Sequence, residues 1–406
     1  MAAKLAEQCD VGEFSIWQKI FLGLQHTMAM FGATILVPII TGLNVSATLF
    51  AVGLGTLIFH FFTSAKVPGF LGSSFAFIAP LVLVAESSEL TLQHAQAGII
   101  GAGLVYLIVG FIVQLAGPDN VAKIFPPVVT GPIIMVIGLA LAPVALDWAS
   151  SNWTVALVTL AFTIAMAVFG TGFRRVIPIL LGLICGYSAA VIADVVVFKE
   201  IGEAAWLGFP GFTLPLFSWE VVLIVTPAAI VSIVEHTGDI LAIGDTIGRD
   251  VLRDPGLAPT FYGGGVGTII SGLLGGPSLT TYGENIGVLA ITGVYSTFIV
   301  SLGAVWAIVL SFIPKVEALI ESIPDSVIGG VSILLYGMIA AVGVRTMVSN
   351  RVDLKEARNL IIASVILVIG VGLDKIMVLD RVEMSGMVIA AVIGILLHQL
   401  LPEDIC

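Results

Sequence analysis

Two acidic residues four positions apart, Glu235 and Asp239, stand in an apolar run over residues 225–241, and a third, Glu284, stands in another such run. On a helix that spacing puts Glu235 and Asp239 on one face, one turn from each other. Even on the most lenient scale an ionised carboxylate at the centre of a bilayer costs about 2.5 to 3.5 kcal/mol, so three acids in such surroundings need a common reason. A carboxyl group that gains or loses a proton beside a bound molecule couples the movement of the two. Glu235, Asp239 and Glu284 are therefore candidates for ligand contact and proton coupling, although Asp239 also fits a solvated helix end. His26, between Gln25 and Thr27 in the first apolar run, is a further candidate for a polar group facing the same cavity. His236 is turned about 100° from Glu235 and is expected to pack.

Glu284 also belongs to one of two stretches that cannot be ordinary helix. Residues 67–80 contain Val67-Pro68-Gly69, then Gly72-Ser73-Ser74-Phe75, and end at Pro80; residues 275–287 contain Gly275-Gly276-Pro277-Ser278, then Thr280-Thr281-Tyr282-Gly283-Glu284. Unpaired amides in lipid cost several kcal/mol each, so non-helical backbone at membrane depth has to be buried in protein or line a wet cavity. Two such breaks meeting at mid-depth would present free N–H groups and two half-helix N-termini to a ligand bearing carbonyl oxygens.

Other chemistry is missing from the pattern. There is no HExxH metal pair, no phosphate-binding G-x-x-x-x-G-K loop and no CxxC pair, and His236-Thr237-Gly238-Asp239 supplies only one aspartate where a protease dyad needs two. Neither an enzyme nor a bound metal or cofactor is expected, the proton serving as coupling ion. Cys9, Cys185 and Cys406 form no disulfide framework. A net charge of -11 opposes a nucleic-acid partner.

The elements that would position the acids follow from composition. Of 406 residues, 58% are hydrophobic and 11% charged, less than half the charged fraction of roughly 25% in soluble domains. The expected fold class is an all-α polytopic membrane protein surrounded by lipid. Fourteen apolar runs can be marked along the chain; at about 20 residues per crossing they leave loops of about 8 residues. Glu7, Asp10 and Glu13 precede the first run, which therefore reads as a retained crossing. With both termini in the cytoplasm, 12 of the 16 basic residues fall inside, Lys4, Lys66, Lys123, Arg174 and Arg358 among them, and Lys199, Lys315, Lys375 and Arg381 fall outside.

Seven spans per half force the second half into the membrane upside down, the arithmetic of an inverted repeat. The first repeat is placed at residues 1–198, a connecting loop at 199–218 and the second repeat at 219–406. The two breaks are then the third span of each half.

Leu71-Gly72-Ser73-Ser74-Phe75-Ala76-Phe77-Ile78, Glu235-His236, Arg253-Asp254-Pro255-Gly256-Leu257 and Thr280-Thr281-Tyr282-Gly283-Glu284-Asn285-Ile286-Gly287-Val288 resemble the nucleobase/ascorbate transporter family, most closely its bacterial uracil permeases, over nearly the whole chain. The resemblance implies a core domain from segments 1–4 and 8–11, a gate domain from segments 5–7 and 12–14, and short strands in segments 3 and 10. It also implies a homodimer in the cell membrane and alternating-access import of a nucleobase by proton symport. By matching motif, backbone amides around Phe75 and Gly283, with Tyr282 beside them, would meet nucleobase carbonyls, and Glu235 and Glu284 would accept its ring N–H groups. Tyr336 matches a gate position. One departure concerns substrate: Asp239 stands where uracil-type members usually carry histidine and looks more like the xanthine and urate branch. Glu284-Asn285 and Gly263 depart from that branch in turn, so uracil is favoured and xanthine is the alternative. An anion carrier on the same architecture would need a basic lining, which the spans lack.

Overall fold

The computed structural model describes residues 14–87, 89–117, 126–373, 375–379 and 382–402. Lys4, Glu7, Cys9, Asp10, Glu13, Lys123, Arg381 and Cys406 lie outside the described residues.

Helices α1 (Ile16–Thr41) and α2 (Val45–Phe62) lead into strand β1 (Leu71–Ser73), a 3-10 turn at Phe75–Phe77 and the half-helix α3 (Ile78–Ala85). After α4 (Leu92–Ala116), α5 (Pro127–Ala140) and α6 (Ala142–Ser150) form one span, followed by α7 (Trp153–Phe169) and α8 (Pro178–Ile192). The second half repeats the plan. Helices α9 (Trp219–Val225) and α10 (Ala229–Ile247) form one span, then come α11 (Leu257–Leu274), strand β2 (Leu279–Thr281), the half-helix α12 (Gly283–Thr292) and α13 (Thr297–Ser311). A helix bent by 84° from α13, α14 (Pro314–Glu321), precedes α15 (Asp325–Ser349) and α16 (Ala357–Gly372). The hairpin of β3 (Lys375–Leu379) and β4 (Val382–Ser385) then leads to α17 (Gly386–Leu400).

The described elements group into fourteen membrane segments, but the allotment of about 20 residues to each is met by half of them. Seven helices, with α5–α6 and α9–α10 each taken as one, reach 18 residues with enough apolar character to cross alone. Helices α7, α8, α16 and α17 have 15 to 17 residues, and α3 and α12 have 8 and 10 because strand occupies the rest of their segments.

Two groups of helices pack most closely. In one, α2, α4 and α11 lie together with α13, which also holds α1; in the other, α15 lies against α5, α6, α7 and α8, and α16 against α5 and α17. Small residues permit the approach. A Cβ on Gly138 of α5 would fall 2.2 Å from the carbonyl oxygen of Tyr336 on α15, and one on Gly267 of α11 would fall 3.3 Å from Cα of Gly55 on α2.

Strands β1 and β2 form an antiparallel ribbon, with Leu71 opposite Thr281, Gly72 opposite Thr280 and Ser73 opposite Leu279. Pairing continues at both ends through Ser74 N–H to Ser278 O (2.9 Å) and Tyr282 N–H to Phe70 O (3.0 Å). In that register the N–H groups of Leu71 and Leu279 point away from the partner strand. A threonine meets each of them: Leu71 N–H donates to Thr56 Oγ1 at 3.0 Å, and Leu279 N–H to Thr268 Oγ1 at 3.2 Å. Thr56 sits on α2 and Thr268 on α11, each directly after one of the glycines at which those helices cross. The two halves thus use the same hydrogen bond to hold the same strand residue, the inverted repeat expressed in atoms.

Because the Gly138 contact is to backbone, which cannot rotate away, Gly138→Ala is expected to cost about 1 to 3 kcal/mol of packing and to lower the melting temperature in detergent. Gly337→Ala, with nothing within 4 Å of the added carbon, is expected to leave it unchanged. Equal melting temperatures for the two variants would contradict this packing.

Candidate functional site

The ribbon dictates where unpaired amides appear. Each strand stops after three residues and a helix begins, after Ser74 in the first half and after Tyr282 in the second, and neither of these residues caps its helix with a side chain. The first amides of a helix have no partner within it. Because the strands are antiparallel, the two helices leave from opposite ends of the ribbon, roughly 13 Å apart for the four steps between the Phe70–Tyr282 and Ser74–Ser278 pairs at about 3.3 Å each. The amides starting at Phe75 and at Gly283 are thus offered from two sides of one small region.

Helix α10 brings the acids to it. The second carboxylate oxygen of Asp239 accepts from Thr281 Oγ1 at 3.0 Å, which ties α10 to β2, and the first stands 4.0 Å from the place of a Cβ on Gly283. Glu235 lies within electrostatic reach of both Asp239 and Glu284. All three acids are half-buried, and Gly238 and Gly283 between them are exposed, so the acids border accessible space. One oxygen of Glu235, Oε2, is buried with no hydrogen-bond partner. An unpartnered acceptor in that position suits a ligand N–H.

Behind the acids lies a buried hydroxyl chain. Tyr106 on α4 donates to Ser232 Oγ at 2.8 Å, and Ser74 Oγ donates to the same oxygen at 3.1 Å. Ser232 is three residues before Glu235, so this chain fixes α10 to the start of the first half-helix. His236 is fully buried among the rings of Phe59, Tyr106 and Phe261, with Nε2 3.1 Å from Thr260 Oγ1.

The remaining candidates have distinct surroundings. Phe75 is buried and meets the ring of Tyr336 edge-on, with centroids 6.2 Å apart, so the α15 tyrosine touches the first half-helix. The Tyr282 side chain lies across Gly72, where a Cβ would come within 2.3 Å of its ring, and its hydroxyl donates to Ser73 O at 2.8 Å. Both its hydroxyl and its N–H are therefore engaged by the ribbon. His26, expected to face the cavity, is instead 1% exposed. Its carbonyl oxygen accepts from Asn285 Nδ2 at 3.0 Å, and its Nδ1 is 3.3 Å from the same nitrogen. The structure brings His26 to the second half-helix and not to the acids.

Two recurrences escape a reading based on apolar runs and helix breakers. Gly55-Thr56 recurs as Gly267-Thr268, and Gln25-His26-Thr27 in α1 recurs as Glu235-His236-Thr237 in α10. Gln25 Oε1, like Glu235 Oε2, is buried without a partner. A gapless alignment of the halves on the two breaks passes over both, because Thr56 precedes Leu71 by 15 residues and Thr268 precedes Leu279 by 11, and the second pair is displaced by two.

Comparison with known proteins agrees with this architecture. The profile of a permease family, Xan_ur_permease, matches residues 17–379. The uracil permease of Bacillus caldolyticus is 46% identical over 406 aligned positions, covering 96% of this chain and 93% of the relative. That of Bacillus subtilis (strain 168) is 42% identical, covering 95% and 92%. Among solved structures, the transmembrane domain of a cyanobacterium bicarbonate transporter, BicA, superposes with a TM-score of 0.61 at 16% identity, covering 95% of this chain and 98% of that one, a likeness of fold. With the family profile spanning most of its length and relatives above 40% identity across nearly all of it, the chain belongs to this permease family, the nucleobase/ascorbate transporters.

Proposed function

We propose that this chain imports a nucleobase, uracil in the first place, by proton symport with alternating access. It would do so in the bacterial inner membrane, with both termini in the cytoplasm. The observation that carries the reading is the meeting of two uncapped helix starts with Glu235, Asp239 and Glu284 around exposed Gly238 and Gly283. Uracil's edge alternates carbonyl acceptors with N–H donors, and this region alternates amide donors with carboxylate acceptors. The names of the two curated relatives support the same substrate. Asp239 keeps xanthine as the second reading.

In this reading the amides at Phe75 and Gly283 meet the base carbonyls, with Tyr282 holding the ribbon behind them. Glu235 and Glu284 accept the ring N–H groups, and Glu235, Asp239 and Glu284 share the coupled proton with no other cofactor. His26 we assign to holding α12 through Asn285. Tyr336 covers Phe75 as a gate contact. The moving core comprises segments 1–4 and 8–11, the gate segments 5–7 and 12–14, and the repeats residues 1–198 and 219–406. The homodimer rests on the family resemblance.

Alternating access is supported by contacts that the inverted repeat relates. Helix α8 presses on α1, with Ile179 against Gly32, and Ile177 clusters with Ala29 and Val288. In the other half strand β4, leading into α17, lies against α3 and α9. Related contacts at opposite ends can close in alternation. BicA, a bicarbonate transporter by its description, shares the fold, but Glu235, Asp239 and Glu284 at the breaks and the absence of Lys or Arg from segments 3, 8 and 10 disfavour an anionic cargo here.

In proteoliposomes, labelled uracil is expected to accumulate when the outside is made acidic, and Glu235→Gln and Glu284→Gln are each expected to lower that uptake at least about tenfold, the loss of one charged hydrogen bond. Uptake indifferent to the pH gradient and to both substitutions would remove the mechanism, and stronger competition by xanthine than by unlabelled uracil would transfer the assignment to purines. With the native cysteines replaced by serine, Gly238→Cys and Gly283→Cys are expected to react with a water-soluble thiol reagent and to be protected by uracil, whereas Ser74→Cys, at a fully buried position, is not expected to react. Labelling of both glycine positions at the same rate with and without uracil would place the ligand elsewhere.

A further inference from the structure

A two-stranded ribbon at membrane depth has a problem that a helix does not. Half of its amides point away from the partner strand, and neither water nor a third strand is there to receive them. The outward amides of Leu71 and Leu279 are received by Thr56 and Thr268, whose side chains are fully buried. The Thr56 hydroxyl donates back to Val52 O in its own helix at 2.9 Å, so its oxygen is held in a fixed direction when it accepts from the strand. Each threonine also reaches the carbonyl oxygen of its strand residue at 3.4 Å. Cβ atoms placed on the preceding glycines show how little slack exists: one on Gly55 would meet Leu279 Cδ1 at 2.3 Å, and one on Gly267 would meet Cα of Gly55 at 3.3 Å. The crossing of α2 and α11 therefore carries both threonines directly under the ribbon.

We infer that Thr56 and Thr268 are positioning residues for the substrate: they clamp the two edges of the ribbon to one helix crossing and thereby set where the amides of Phe75 and Gly283 point. The inference rests on the transport reading above, because it names what aims the donors of that site. Each clamped strand residue lies four positions before the donor it controls. A slip of one residue in either strand would turn every side chain of that strand to the opposite face. Neither threonine touches the ligand; each acts through the strand.

The test compares Thr56→Val and Thr268→Val with Thr56→Ser and Thr268→Ser, using wild-type protein and Thr163→Val, whose hydroxyl only bonds back to Thr159 O of its own helix, as controls. Labelled-uracil uptake is measured in proteoliposomes and normalised to folded protein, and amide hydrogen exchange is measured in the same preparations. Each valine variant is expected to raise KM at least about fivefold, the loss of one buried hydrogen bond, with Vmax within twofold of wild type. Exchange is expected to quicken over residues 71–78 for Thr56→Val and over residues 279–286 for Thr268→Val. Serine is expected to restore both readouts, and Thr163→Val to change neither.

If the valine variants lower yield or Vmax while KM and the exchange of these segments stay at the wild-type values, the threonines only support the fold and the inference is overturned. Should one valine variant fail to fold, its partner in the other half carries the same expectation. If the wild-type protein takes up no nucleobase, the transport reading fails on its own, and the exchange experiment, which needs no substrate, still decides the clamp.

Discussion

A backbone amide in the middle of a bilayer must find an acceptor, and the arrangement of this protein around its two breaks follows from that requirement. Where β1 and β2 run side by side, each supplies acceptors for the other. On their outer edges Thr56, Thr268 and the hydroxyl of Tyr282 supply what a third strand would have provided. Where the strands become helices, after Ser74 and after Tyr282, the first amides are left without a side-chain cap. The ribbon therefore concentrates unmet donor capacity at two places that face one region.

The acids supply the opposite need. A carboxylate without a partner at this depth costs more than an amide without one, yet Glu235, one turn before Asp239, keeps a buried oxygen unbonded. Such groups persist when a ligand and a proton complete them during a cycle. The tie from Thr281 to Asp239 and the hydroxyl chain from Tyr106 through Ser232 to Ser74 hold α10 against both half-helices. Acids and amides are consequently parts of one body, with Tyr336 on α15 reaching it through Phe75.

Much of this could be read from the sequence because lipid leaves so few options. The apolar runs, the bias of basic residues and the Gly, Pro and Ser in two stretches at matching places of the two halves required fourteen segments with two of them broken. The acids were legible for the same reason, since a charge in an apolar run is conspicuous. What stayed hidden depends on side-chain direction. His26 sits in an apolar run as Glu235 does, but its face of α1 meets Asn285. Tyr282 lies within the most telling motif, yet its ring crosses Gly72 and its hydroxyl serves the ribbon. Thr56 and Thr268 have no charge and break no helix, so only superposing one half on the other exposes them. The helices of segments 3 and 10 are shorter than an ordinary crossing because a strand covers about 3.3 Å per residue against 1.5 Å for a helix.

The most direct test of the central claim is a cryo-electron microscopy map of the protein with uracil bound, at a resolution that orients the base. The expected result is a base lying between the two half-helices, its carbonyl oxygens within hydrogen-bond distance of the Phe75 and Gly283 amides and its ring nitrogens facing Glu235 and Glu284. A base bound away from the ends of the ribbon, or residues 71–85 and 279–292 wound into continuous helices around it, would contradict the claim.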